Sequence, residues 1–517
     1  MTVEIVNAPP RAPRPAVPVA VAPPRLWPAV VWRCVVAPLV VLLPLIALTP
    51  AADHRFNIYA NGGRYASRPW LLPQAVIESV PTYLHLGNFR PLGRLAEWSL
   101  DVAAFALTGL LGIPANISLR LVSFAAAILL TLTAVVFAES VTARGRLFAG
   151  RPSVLVALLP FAMAAGFVAA GRTSTTVLFG GLYFTSAALV LAVAAYACRV
   201  RRPGVLVLLA GAALAAFNEI AYLAVPLATA AVVLRYRVVL GKPLRGPGLR
   251  FIVLLWAGFL PVFVPVRLII RQHCAAGGCY AGSDIAVAAA PGALPNRLVS
   301  WLPPLMWQRA TDGVTANPAG PIAVLALLVL AFLAWRAARQ LPELAMLDRR
   351  QALGLAGAAA VALLLAATLA ALNADVQKLA ADGRWGQGWR DSGLTTAAGS
   401  VLLLAVVAAG RRVLIVPLLA VLVVAGTFSA AANKDFRDGS SAGRYPYLHD
   451  RIAQEIAGFD PTPAGNARRC ALRDAFRQTS IANHRGTDPP ELERFDVSLD
   501  RATRHLAGKP FCREVSR

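Results

Sequence analysis

GNFRPLGRLAEWSLDVAAFALTGLLGIPANISLRLVS, residues 87–123, decides the topology of the whole chain. Its middle, 99–114, is apolar enough for a membrane helix, yet Glu97 and Asp101 stand four residues apart on one helical face. An aspartate at the centre of a span costs about 2.5–3.5 kcal/mol on insertion scales. If the stretch crosses a bilayer, every later loop changes side. If it lies along the surface, the downstream loops keep theirs.

The surroundings favour the second reading. The chain has 517 residues, of which 57% are hydrophobic and 15% charged, against about 25% charged in an ordinary soluble domain. Apolar runs of membrane-spanning length recur from Trp27 to Ala432. They predict an all-α polytopic membrane protein with about eleven transmembrane helices near 28–49, 118–138, 153–171, 177–197, 204–217, 221–234, 251–270, 321–335, 352–372, 394–409 and 413–432. With 97–115 lying flat as a juxtamembrane helix, each strongly basic short loop falls on one side. These loops carry Arg144 and Arg146, Arg199 to Arg202, Arg235 to Arg250, Arg336 to Arg350, and Arg411 with Arg412. The positive-inside rule makes that side cytoplasmic. The prediction is a multi-pass cell-membrane protein with a cytoplasmic N-terminus and an extracytoplasmic C-terminus.

Three regions follow. Residues 1–27, rich in Pro and Ala, read as a disordered cytoplasmic tail. Residues 28–432 form the transmembrane body, with 50–117 as its first outer loop. Residues 433–517 are dense in mixed charge and carry helical spacing, and predict a small helical extracytoplasmic cap. The net charge of +24 is explained by loop arginines, and no zinc-finger spacing or basic helix with interleaved aromatics points to nucleic acid. Cys274 with Cys279, and Cys470 with Cys512, fall in predicted outer segments, where disulfides persist. Cys34 and Cys198 read as small apolar residues within or beside spans. No ligand spacing for zinc is present.

Three places are candidates for chemistry. Asp53, in ALTPAADHRFNIYANGG, follows the first span, where a carboxylate suits a general base acting on a hydroxyl. Glu219, in AAFNEIAYLAVPLATAAVVL, is an acid within an apolar pair of spans. The loop DVQKLAADGRWGQGWRDSG, 375–393, brings Arg384, Trp385, Trp389, Arg390 and Asp391 together in sequence. Arginine suits phosphate, and tryptophan suits the interface. Arg55 and Arg90 of the first outer loop have the same two readings, phosphate contact or interfacial anchor.

The ordered set GNFRPLGRL, LTGLLGIPANISLRLVSFAAAILL and AAFNEIAYLAVP resembles the GT-C superfamily of membrane glycosyltransferases. It is most similar to the O-mannosyltransferase-like members, as a divergent bacterial relative, over roughly residues 28–235. The resemblance implies a transferase that moves a sugar from a polyprenyl-phosphate donor to an extracytoplasmic envelope glycan or lipid. Asp53 matches the family's acid in the first outer loop, and Glu219 matches its Glu on the short paired spans. The chain departs from the family in three places. Asp53 is followed by His54 rather than a second acid, Asn218 replaces a lysine, and Arg120-Leu121-Val122-Ser123 replaces His-Leu-Val-Asn. The sequence fixes no cofactor and leaves a divalent metal open. Two other functions fit the composition: a transporter or flippase, and a non-catalytic envelope scaffold. No internal repeat of the kind transporters carry is visible.

Overall fold

The computed structural model describes residues 26–48, 54–113, 115–275, 277, 279, 285–311, 320–408 and 412–441. In the C-terminal stretch it describes 451–452, 455–456, 458–483, 496–497, 499–500, 502–504 and 507–513. The regular elements are all helices, and no β-strand forms among the described residues. The helices are α1 (Leu26–Leu42), α2 (His54–Tyr65), α3 (Leu72–His85), α4 (Pro91–Leu111), α5 (Ala115–Thr142) and α6 (Val154–Ala165). Next come α7 (Gly180–Ala197), α8 (Val205–Ala215), α9 (Glu219–Tyr222), α10 (Ala224–Leu234), α11 (Pro247–Ala275), α12 (Ala290–Val299) and α13 (Pro303–Thr311). The last are α14 (Pro321–Gln340), α15 (Arg349–Ala371), α16 (Ala374–Ala381), α17 (Ser392–Ala408), α18 (Ile415–Ser441) and α19 (Pro463–Asn483).

Eight helical segments among the described residues are long and apolar enough to cross a membrane: α1, α5, α7, the α9–α10 run, α11, α14, α15 and α18. The other three predicted spans coincide with shorter apolar helices, α6, α8 and α17. The predicted span 153–171 is corrected: α6 stops at Ala165 and 166–179 is irregular but mostly buried. Such backbone needs partners, because a dry interior leaves peptide groups unsolvated. Asn433 supplies two of them, accepting from Ala169 N (2.7 Å) and donating to Phe167 O (2.9 Å), and it also donates to Val41 O of α1 (2.9 Å). α18 runs on to Ser441, so the predicted boundary at 433 lies inside a helix.

Polar contacts sort the helix ends into two groups. At one end Trp27 donates to Gly150 O (2.9 Å), Arg199 to Gly145 O (2.8 Å) and Arg235 to Val141 O (2.7 Å). Arg144 pairs there with Asp348 at 2.6 Å. These loops are among the basic ones, and the structure gathers them. At the opposite end Arg120, fully buried in α5, donates to Leu48 O (3.4 Å) and Val177 O (2.9 Å). Its guanidinium satisfies carbonyls that have no helical partner.

α4 begins and finishes at this second end. Leu92 N donates to Ala216 O (2.9 Å) near its start, and Thr108 meets Ser118 of α5 (2.9 Å) near its finish. Residues 91–111 therefore lie across the end of the bundle. The polar face of α4 points the other way from a simple surface helix. Glu97 and Asp101 are buried, at 4% and 2% exposure, whereas Leu110 and Leu111 are exposed. Asn61 of α2 donates to Asp101 at 2.8 Å, and Arg90 and Arg94 approach Glu97 at 3.7 and 3.8 Å. A buried carboxylate needs such partners. Burial and the nearby Glu97 charge push the Asp101 carboxyl well above the usual carboxylate range, against the opposing pull of Asn61 and Arg94. Gly62 lets α2 approach α4, since a Cβ there would meet Phe105 at 2.3 Å.

The C-terminal stretch joins this assembly. Ile452, Ile456, Phe476, Leu499 and Phe511 share one apolar cluster with Ile58, Phe105 and Leu119 of α2, α4 and α5. α19 starts with Pro463 and is capped by Thr462, whose hydroxyl accepts from Gly465 N at 3.1 Å. Both disulfides form, Cys274–Cys279 and Cys470–Cys512. The second links residues 42 positions apart, so it removes much chain entropy from the unfolded stretch. Cys470→Ser with Cys512→Ser should lower the stability of residues 451–513 by about 2–5 kcal/mol. Limited proteolysis should then cleave that stretch first, and unchanged cleavage would assign its stability to the apolar cluster instead.

Candidate functional site

The site lies where α4, α9, α11 and the 386–391 loop meet. The Arg90-Pro91-Leu92-Gly93 step packs on the turn between α8 and α9. Gly93 is required there, because a Cβ would fall 2.0 Å from Phe217 O. The same turn is fixed by Asn218, fully buried, which donates to Ser186 Oγ (2.7 Å) and accepts from Ala221 N (2.9 Å). Asn218 thus caps α9 and sets Glu219 in its first turn.

Arg90, Arg267 and Arg390 surround Glu219 closely enough to interact with it electrostatically. They come from three distant segments. Arg90 precedes α4, and its Phe89 neighbour accepts from the Tyr222 hydroxyl at 3.5 Å. Arg267 projects from α11, and its guanidinium lies 5.2 Å from the Tyr222 ring centroid. Arg390 sits 6.0 Å from the ring of Tyr183 and 5.5 Å from that of Trp389. Arg94 adds a fourth guanidinium, 3.6 Å from the Tyr83 ring. Four arginines thus face two glutamates, Glu97 and Glu219. Arg90, Arg267, Arg390 and Glu219 are half-buried, so solvent reaches the group without swamping its field. Surplus positive charge in such a place favours an anion.

The loop bearing Arg390 is held by the irregular segment after α6. Thr173 donates to Gly388 O (2.7 Å), Gly388 N donates to Ala170 O (2.7 Å), and Thr175 donates to Trp389 O and Arg390 O (both 3.2 Å). From the other side Arg297 of α12 donates to Gln387 O (2.7 Å) and pairs with Asp391 at 2.5 Å, both side chains almost fully buried. Arg390 is therefore presented from a loop fastened on two faces.

The structure unites Arg90, Glu219 and Arg390, with Trp389 beside them. It does not bring Arg384 and Trp385 into this group, since both are exposed at the turn 383–386. Asp391 is engaged by Arg297 instead. Asp53 lies outside the described residues, and so does the side chain of Arg55. His85 and His273 face each other at 4.7 Å between ring centroids. Among the described residues no three His, Cys, Asp or Glu side chains gather as a metal site.

Sequence reasoning missed Arg267, Arg297, Tyr183 and Tyr222. A signal existed for Arg267: it falls inside the predicted span 251–270, and a cation within a span marks a functional position by default. For Arg297 there was none, because its partner is 94 residues away. Compared with protein-family models, with curated proteins and with solved structures, the chain matches none of them.

Proposed function

We propose that the protein is a cell-membrane glycosyltransferase that moves a sugar from a polyprenyl-phosphate donor to an extracytoplasmic envelope glycan or lipid. In this reading eleven segments cross the bilayer, with α6, α8 and α17 as the short ones. The basic end faces the cytoplasm, the Glu219 end faces outward, and the stretch that follows α18 forms an outer cap. The observation that supports the reading is the placing of Arg90, Arg267 and Arg390 within electrostatic reach of Glu219, with Arg267 beside Tyr222 and the Arg90–Gly93 step packed on the Phe217 turn.

The chemistry needs two groups. A base takes the proton of the acceptor hydroxyl, and its oxygen attacks the anomeric carbon. The bond from that carbon to the donor phosphate oxygen breaks, and the lipid phosphate leaves with the electron pair. Asp53 is the base. Arg90, Arg267 and Arg390 receive the phosphate, whose charge grows as the bond breaks, and this is where fixed cations lower a barrier most. Glu219 keeps the three guanidinium groups from repelling one another apart before the donor arrives.

Arg267→Gln tests this directly. It leaves a neutral, shorter side chain in place of one of the three guanidinium groups. Consumption of a lipid-linked sugar by membranes should fall by about 10²-fold, the scale seen when one charge-stabilising donor is removed from a transition state. Wild-type turnover at matched protein level would remove the arginine cluster from the mechanism.

A further inference from the structure

A second basic feature lies apart from Glu219. Between the end of α2, the start of α3 and the C-terminal stretch there is a cleft of about 610 Å³. Arg64, Arg68 and Arg504 line it, with Tyr65, Gln74 and Glu78. The three arginines are exposed, and among the described residues none pairs with a carboxylate. Glu78, the single acid of the lining, already accepts from Gln74 at 2.8 Å. The floor is set by Tyr65, buried and stacked on Trp98 with ring centroids 6.1 Å apart, and Arg64 lies 5.3 Å from the Tyr65 ring.

Arg504 is more than four hundred positions from Arg64 in the chain. It arrives here because its segment docks through Phe511, Ala502 and Leu499 against Ile58 and Phe105. Two like charges at the end of α2 and a third brought in by the C-terminal stretch repel, and an anion relieves that repulsion. The volume suits a ligand of several rings or a short chain. Guanidinium forks match carboxylate or phosphate groups, while Gln74 and Glu78 offer partners for hydroxyls. The place of the cleft matters too. The next turns of α3, at Ser79, Val80 and Tyr83, line a smaller depression shared with Arg90 and Arg94. One helix therefore leads from the cleft to the edge of the Glu219 cluster.

We propose that this cleft binds an acidic saccharide, a chain bearing carboxylate or phosphate groups, and that this chain is the acceptor of the transferase. The binding claim stands by itself, and the acceptor role rests on the function proposed above. The test uses full-length protein in zwitterionic-lipid nanodiscs, with tetragalacturonate as the acidic probe and maltotetraose as its neutral counterpart. The acidic probe should bind at least about tenfold more tightly, and its advantage should shrink as ionic strength rises. Arg68→Glu and Arg504→Glu should each weaken it about tenfold or more, and Glu78→Gln should strengthen it. All three positions face solvent or the cleft, and a melting temperature near that of the wild type shows that the fold is kept.

Equal binding of both probes would overturn the proposal, as would indifference to Arg504→Glu. Complete competition by inorganic phosphate at the same concentration would reduce the cleft to a simple anion site, and loss of probe binding in anionic-lipid nanodiscs would assign it to lipid headgroups; both overturn it. Transfer to acidic acceptors at an unchanged rate in the Arg68→Glu, Arg504→Glu double variant would remove the cleft while leaving the transferase intact. Charge-selective binding without sugar transfer would keep the cleft and remove the transferase.

Discussion

Asp391→Ala should destabilise the protein by about 3–5 kcal/mol, the usual loss when one member of a buried ion pair is deleted. The Arg297–Asp391 pair is 2% and 1% exposed, and the deletion leaves Arg297 Nη2 charged and without its partner. Its remaining hydrogen bond, to Gln387 O at 2.7 Å, does not neutralise it. The effect should reach the site, because Gln387 and Asp391 bracket the segment that presents Arg390. Thermal unfolding in detergent measures the first effect, and turnover at a permissive temperature measures the second. The double substitution Arg297→Met, Asp391→Leu removes both charges and should recover most of the stability, since apolar replacement of a buried pair is often neutral or better. It should recover less of the turnover, because Gln387 O then has no guanidinium donor. A loss under about 1 kcal/mol for Asp391→Ala is the range of an exposed pair, and would mean that water reaches Arg297.

If the proposed transferase function holds, Asp53→Asn should reduce sugar transfer by about 10²–10⁴-fold with protein level unchanged, the contribution typical of a positioned general base. The described neighbours of Asp53 in the chain, Leu48 and His54, belong to the end of the bundle that holds Glu219; Leu48 O accepts from the buried Arg120 there. A base works only when deprotonated. Asp53→Glu, which keeps the carboxylate but moves it outward, should retain part of the activity. Full activity in the Asn variant would transfer the role of base to another acid, with Glu219 the first to test.

The primary structure by itself determined the helical class and the partition of loops. Apolar runs long enough to span a bilayer have few other ways to satisfy their backbone groups than as helices. Arginines confined to alternate loops then group those loops, and the contacts of Arg144, Arg199 and Arg235 place them at one end. The cost of Asp101 within an apolar stretch and the basic loops that would change side argued in sequence that 97–115 lies flat, and α4 lies across the end of the helix bundle between Ala216 and Ser118. Tertiary structure alone decided which way that helix faces. Two acids four residues apart define a face but not its direction, and only Asn61, Arg90 and Arg94 make burial of that face tolerable. It likewise decided that α6 ends at Ala165, because the buried backbone beyond it finds its partners in distant segments, among them Asn433, 264 residues away from Ala169. The site divides the same way. Glu219, Arg90 and Arg390 are visible in sequence as charges beside apolar runs. Their meeting with Arg267, and the diversion of Asp391 to Arg297, arise from contacts between segments whose separation in the chain carries no local signal.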